Sequence, residues 1–298
     1  MGVAPRAVVS APPATPPLHS LLSTATIVEE PDDVRWEAGF SFLPENCVEA
    51  QPWDPCVGPP GDPSRVKSDA EAMLEIVTYQ PYVVETQVTC STFGFQEFDY
   101  VGRARRQLDA ALSKAMELEF WEGALAATMA DAGNGNDPLI SCTTTLNPET
   151  VPGVPDAVSP SVGLAMLVQA LANCGPGSRG MIHATPFLVE RWCHGDYLRE
   201  QSGKLQTCTR GNLVISGSGY TGSPPTGLPP LGPDQAWAFA TGPVFLRLGD
   251  VEVYPDTIAE ALDRDTNDIT YRAERTVSAV HDLCCCFAVL IDLCAPLS

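Results

Sequence analysis

Four histidines, 11 cysteines and one glycine-rich hexapeptide are the parts of this 298-residue chain whose types could carry chemistry. His19, His183, His194 and His281 include no pair at i, i+4 spacing for a metal, and no G-x-S-x-G elbow accompanies them. They read as structural histidines held by hydrogen bonds. The cysteines include no C-x-x-C pair, so a zinc ribbon has no ligands. Cys284, Cys285 and Cys286 sit in an apolar run, where reduced cysteine behaves as a small hydrophobe, and a reducing cytosol is the expected place of folding. Gly217-Ser218-Gly219-Tyr220-Thr221-Gly222 matches G-x-G-x-x-G, but a dinucleotide site needs a helix to begin there. Pro224, Pro225, Pro229 and Pro230 forbid one, so the segment reads as a loop. Arg103, Arg105 and Arg106 have the charge to touch phosphates, yet pairing with acidic residues of their own helix or a neighbour is the expectation. Nothing here asks for a cofactor or a metal.

Composition narrows the partners. Lys and Arg number 17 against 37 Asp and Glu, a formal net charge of −20. Such a surface repels phosphate and disfavours both a sequence-reading nucleic-acid binder and an anionic membrane. The length suits one or two compact units. The 28 prolines and 24 glycines cluster between periodic segments, which suits long arms and loops. Arg6 stands where a myristoylation signal needs Ser or Thr, and Pro12, Pro13, Pro16 and Pro17 break any signal-peptide core. The run from Leu283 to Leu293 contains Asp292 and is too short to span a bilayer.

The elements follow from periodicity. Residues 1–50 have no sustained period and need a neighbour to lie against. Extended chain runs from Met73 to Cys90. A helix is predicted over 97–122, with Val101, Ala104, Leu108, Ala111, Leu112, Ala115 and Leu118 on one face. Arg103, Arg106, Asp109, Ser113 and Glu117 take the other. Phe120 and Trp121 close this helix as core anchors. Ser159-Pro160 and Thr185-Pro186 each start a further helix. Short strands are predicted at 180–184 and 213–215, a longer one over 236–254, and an alternating strand from Ile269 to Ala279. The run Cys284 to Leu293 is expected to be that last strand's buried partner.

This order resembles the HK-97-type capsid fold of tailed-bacteriophage major capsid proteins and of encapsulin shells. Glu119-Phe120-Trp121-Glu122-Gly123 is similar to the ending of that family's spine helix. Met181 to Leu188 resembles its axial-domain step from strand to helix, and Asn267 to Arg275 its closing strands. The resemblance implies an α+β fold: an N-terminal arm at 1–50, and an extended loop with its flanking strands at 51–90. A peripheral domain at 91–158 would carry the spine helix, followed by an axial domain at 159–255 and return strands of the peripheral domain at 256–298. The arm is proline-rich where an encapsulin would have a helix.

The resemblance also implies a function. A non-enzymatic subunit would assemble with itself into hexamers and pentamers of an icosahedral virion shell in the host cytoplasm. That shell would enclose double-stranded DNA without sequence specificity and meet a portal, with separate scaffolding or decoration proteins left open. An encapsulin-like compartment and a small cytosolic α/β enzyme are the alternatives. Some members crosslink a loop lysine to an asparagine beside a glutamate; here Asn267 and Glu274 stand at matching positions, and Lys67 is the only lysine of the presumed loop. In that reaction the amine attacks the carboxamide and releases ammonia while the carboxylate takes the proton.

Overall fold

The computed structural model describes residues 15, 17–28, 34–42, 77–91, 99–125, 137–174, 179–281 and 284–296. The predicted long helix is α2, Tyr100–Glu122, preceded by α1 (Leu21–Thr24). Asp99 caps α2 by accepting the Gly102 N–H at 2.7 Å. Gly123, at φ +62°, ends it in the left-handed region, where glycine carries no β-carbon penalty, and donates its N–H to the Glu119 carbonyl. Ala104, Leu108, Leu112, Met116 and Phe120, four residues apart, form the buried stripe. The predicted face was misplaced by a fraction of a turn. Val101 and Leu118 are exposed, while Ser113 and Glu117, expected to face water, are buried. Those two polar side chains have protein partners that replace water.

α2 lies against a five-stranded sheet. Its strands are β1 (Thr26–Val28), β4 (Tyr82–Ser91), β10 (Val244–Tyr254), β11 (Leu262–Asp263) and β12 (Asp268–His281). β12 is the centre: it pairs antiparallel with β10 on one side and with β4 on the other. Ile269, Tyr271, Ala273 and Val277 alternate toward the helix and join its core, as the period-two pattern predicts. A separate two-stranded sheet pairs β2 (Phe40–Phe42) with β3 (Val77–Tyr79). Phe40 and Phe42 both stack on Tyr79. Residues 43–76, between these strands, lie outside the described residues.

The second body is a six-stranded sheet in the order β13-β9-β5-β8-β7-β6. Its strands are β5 (Met181–Ala184), β6 (Leu198–Gln201), β7 (Lys204–Thr207), β8 (Leu213–Ser216), β9 (Gln235–Thr241) and β13 (Cys286–Asp292). Helices α3 (Pro160–Asn173) and α4 (Pro186–His194) start at the predicted Ser-Pro and Thr-Pro steps. They share a second core through Leu164, Leu167, Leu188 and Trp192. One more short helix, α5 (Ile258–Ala261), precedes β11.

Four expectations need correction. The single strand predicted over 236–254 is two strands, β9 and β10, split at Gly242-Pro243 and placed in different sheets. β13, expected beside β12, pairs with β9 instead, because its run Ala288–Ile291 is buried on both faces and needs the interior of the second sheet. The cysteines expected as thiols are bonded: Cys142 to Cys286 and Cys174 to Cys285. Finally, part of the arm finds its neighbour within its own chain: Leu21 is wholly buried, and β1 pairs in parallel with β10. The hairpin β6–β7, which the periodicity did not reveal, turns on Ser202-Gly203, both at positive φ as tight hairpin turns require.

Leu108 is fully buried in the helix stripe. Leu108→Ala is expected to lower stability by about 2–5 kcal/mol. Exposed Gln107→Ala should change it by less than about 0.5 kcal/mol, both read from the midpoint of chemical denaturation.

Candidate functional site

The densest polar arrangement among the described residues is a buried junction centred on Glu117 of α2. Its carboxylate accepts four hydrogen bonds: from the Leu21 N–H at 2.9 Å, the Gly219 N–H at 3.0 Å, Ser218 Oγ at 3.2 Å and Ser113 Oγ at 3.3 Å. The donors come from three separate parts of the chain: the arm, the helix itself and the glycine-rich loop. A buried charge is tolerated when its lone pairs are filled this way. Gly219 makes the approach possible, since a β-carbon there would collide with the Lys114 carbonyl and the Leu118 amide. One turn further on, Glu122 accepts from Thr221 Oγ1 at 2.6 Å and Ser223 Oγ at 3.2 Å. The G-x-G-x-x-G segment is therefore a loop, as its prolines require, and what it cradles is a carboxylate of its own helix.

Beside the junction runs a sealed chain of hydrogen bonds. Thr241 Oγ1 donates to the Gly242 carbonyl at 2.8 Å, so it accepts from His183 Nε2 at 2.9 Å. His183 Nδ1 is then the acceptor for the Tyr220 hydroxyl at 2.9 Å. Burial, and secondarily the nearby His281, hold the His183 imidazole down at about 3. Burial, and secondarily Glu117, raise the Tyr220 phenol. Both ring nitrogens are occupied and the ring is inaccessible, so His183 is structural, in line with the sequence expectation.

The expected anchors sit around this chain. Trp121 is wholly buried, donates from Nε1 to Ser223 Oγ at 3.0 Å, and meets Phe239 edge-on. Phe120 packs between His183 and His281. Arg103 is exposed on α2, and Arg106 pairs with Asp99 at 3.3 Å. Among the described residues no group of His, Cys, Asp and Glu is placed to hold a metal, and no helix is long and apolar enough to cross a membrane.

Of the three crosslink candidates, the structure describes Asn267 and Glu274. Lys67 lies outside the described residues. Asn267 occupies a turn at φ +58°, just before β12. Glu274 is seven residues on along an extended strand, roughly 20 Å away at about 3.3 Å per residue. Glu274 instead sits between Glu85 and Glu252 in the strand register, and Arg272 bridges it at 3.1 Å and Glu85 at 3.4 Å. Sequence reading missed Glu117, because its loop partners lie a hundred residues away and Ser113 and Glu117 at i, i+4 suit an exposed face equally well.

Glu117→Gln replaces one acceptor oxygen with an NH2 that faces donors. It is expected to cost about 1–3 kcal/mol, with faster amide exchange at whichever of Leu21 and Gly219 faces the new NH2. Acid should act through His183. Its ordinary pKa in the unfolded chain is about 6.5, so between there and about 3 the unfolded state binds the extra proton. That contribution to stability is whole above the upper value and shrinks as pH falls, by at most about 1.4 kcal/mol per pH unit. A His183→Gln variant should show a flatter pH dependence over this window in thermal denaturation.

No protein-family model matches the chain, and no curated protein does. Solved structures do. The capsid of an empty GTA particle aligns at a TM-score of 0.55 and 12% identity, covering 97% of this chain and 95% of that one. The capsid of Ralstonia phage GP4 aligns at 0.54 and 13%, covering 98% and 97%. A holo encapsulin complex from Synechococcus elongatus aligns at 0.50 and 12%, covering 98% of both chains. The spine helix across a β12-centred sheet, joined to a second sheet with its own helices, is common architecture from end to end, and this chain has the HK-97-type capsid fold.

Proposed function

We propose that this chain is a shell subunit, the major capsid protein of a tailed bacteriophage. The carrying observation is that the alignment with shell subunits spans nearly the whole of both chains, with no large domain left over for another task. In this reading the subunits form hexamers and pentamers of an icosahedral head built in the host cytoplasm around double-stranded DNA. Closed rotational symmetry repeats one head-to-tail contact around each capsomer. The portal, and any scaffolding or decoration protein, are further partners under the same reading. The formal charge of −20 fits DNA held by confinement more than by a cationic inner wall. An exposed row that includes Arg103 and Arg106 is the local exception on α2.

Exposed apolar side chains give the subunit something to bury against its copies. Phe187 at the start of α4 is 59% exposed, Val162 near the start of α3 48%, and Val151 57%. Shell contacts of about 2,000 Å² or more between copies would cover such residues. An encapsulin-like compartment is the second reading, favoured by the full-length likeness to one.

Electron microscopy of the purified protein decides. Closed icosahedral particles are expected, and a persistent monomer or dimer at high concentration overturns the shell reading. Nuclease-protected DNA within particles from infected cells marks a virus; protein cargo without DNA marks a compartment. Phe187→Asp is expected to lower particle yield severalfold while leaving the monomer's thermal midpoint nearly unchanged, by sedimentation and calorimetry.

A further inference from the structure

Four of the chain's 17 basic residues fall within one short stretch of α2: Arg103, Arg105, Arg106 and Lys114. Asp109 is the single acidic residue between Arg103 and Lys114, in a chain with 37 acids. All four cations are exposed. One of them forms the ion pair expected near its own helix, Arg106 with Asp99 at 3.3 Å. Arg103, Arg105 and Lys114 make no ion pair among the described residues. A single solvated cation is ordinary, but four in about three turns of helix make a local positive field on an otherwise negative surface.

Arg103, Arg106, Gln107, Ala110 and Lys114 follow three- and four-residue steps, which on a helix make one side. That side lies opposite the buried Leu108 and Leu112. It runs about 16 Å from Arg103 to Lys114 at about 1.5 Å per residue. Duplex DNA carries one phosphate charge per about 1.7 Å of axis, so a helix laid on its backbone meets several at once. Ala110, in mid-stripe, lets the two backbones approach, and Gln107 adds a hydrogen-bond donor. Between Arg103 and Lys114 no exposed apolar side chain is larger than alanine. Contacts between subunits draw affinity from desolvated apolar and aromatic anchors, whereas phosphate contact is polar, wet and electrostatic. This face has the second character. The net charge of −20 does not cancel it, because at physiological salt charges beyond about 8 Å are largely screened.

We propose that this face of α2 binds the phosphate backbone of duplex DNA without reading its sequence, with Arg103, Arg105, Arg106 and Lys114 supplying the charge. The inference rests on the reading that the chain encloses DNA, and it turns this side of α2 toward the interior of the shell. Three unpaired cations give a slope of about −3 for log affinity against log salt, at about 0.9 per phosphate neutralised.

Lysine chemistry provides the test, because the chain has three lysines, Lys67, Lys114 and Lys204. Lys204, on β7, donates to the Thr24 carbonyl at 2.8 Å and serves as the internal reference. The full chain is acetylated with an N-hydroxysuccinimide ester at about 50 mM salt, with and without a duplex of about 30 base pairs, and peptide mass mapping reads each lysine. Duplex DNA is expected to slow acetylation of Lys114 at least about fivefold and that of Lys204 less than about twofold, alike for two unrelated sequences. The protection should fade between about 50 and 200 mM salt. Arg103→Glu combined with Arg105→Glu, checked for native circular dichroism, should abolish it. Arg264→Glu, in the exposed turn between β11 and β12, should leave it in place. Unprotected Lys114, or equal protection of Lys204, overturns the proposal. So does protection of Lys114 in assembled particles free of DNA, which makes this face a contact between copies. Closed particles whose Lys114 ignores DNA sink the patch and leave the shell reading standing; protection in a chain that never forms particles does the reverse.

Discussion

One buried carboxylate ties together three segments that are distant in sequence. Glu117 gathers the arm and the 217–222 loop onto the long helix through one pair of oxygens, and neither of those two segments supports itself well. Leu21 belongs to a four-residue helix, too short to persist by itself in water. The loop has no regular structure of its own. What fixes them is the cost of leaving an ionised group unpaired in a dry interior, which exceeds the ordering entropy of a few residues. The same junction seats the Tyr220 hydroxyl on His183 and the Ser223 hydroxyl on Trp121, so the polar chain and the aromatic core share an alignment.

Much of this architecture was legible in the sequence. The spine helix showed in its apolar spacing and in Gly123; α3 and α4 showed in serine- and threonine-proline starts; β12 showed in strict alternation. The order of these elements carried the likeness to capsid subunits. Local signals were enough where the cause is local: caps, periods and breakers act within a few residues.

Illegible features have causes far apart in the chain. Nothing near Ser113 or Glu117 says that a loop a hundred residues later will bury them, so the outer face of α2 was misplaced. β13 looked like a partner for β12 because a buried apolar run is compatible with any interior position, and only the competition between sheets assigns it to β9. The cysteine triplet read as thiols for the same reason, since Cys142 and Cys174 become neighbours only after both cores close. Of the crosslink trio, only Asn267 and Glu274 fall among the described residues. An extended strand holds Asn267 and Glu274 apart within the subunit.

The placement of β9 and β13 as partners, with β10 to β12 threaded between them in sequence, makes the two sheets nested and not serial. In such an arrangement the chain completes the inner excursion before the outer sheet gains its edge strand. Contacts of long sequence separation dominate, which slows the search and couples the parts. The return of the chain after β12 to add β13 to the second sheet thus ties the two interiors together through one segment.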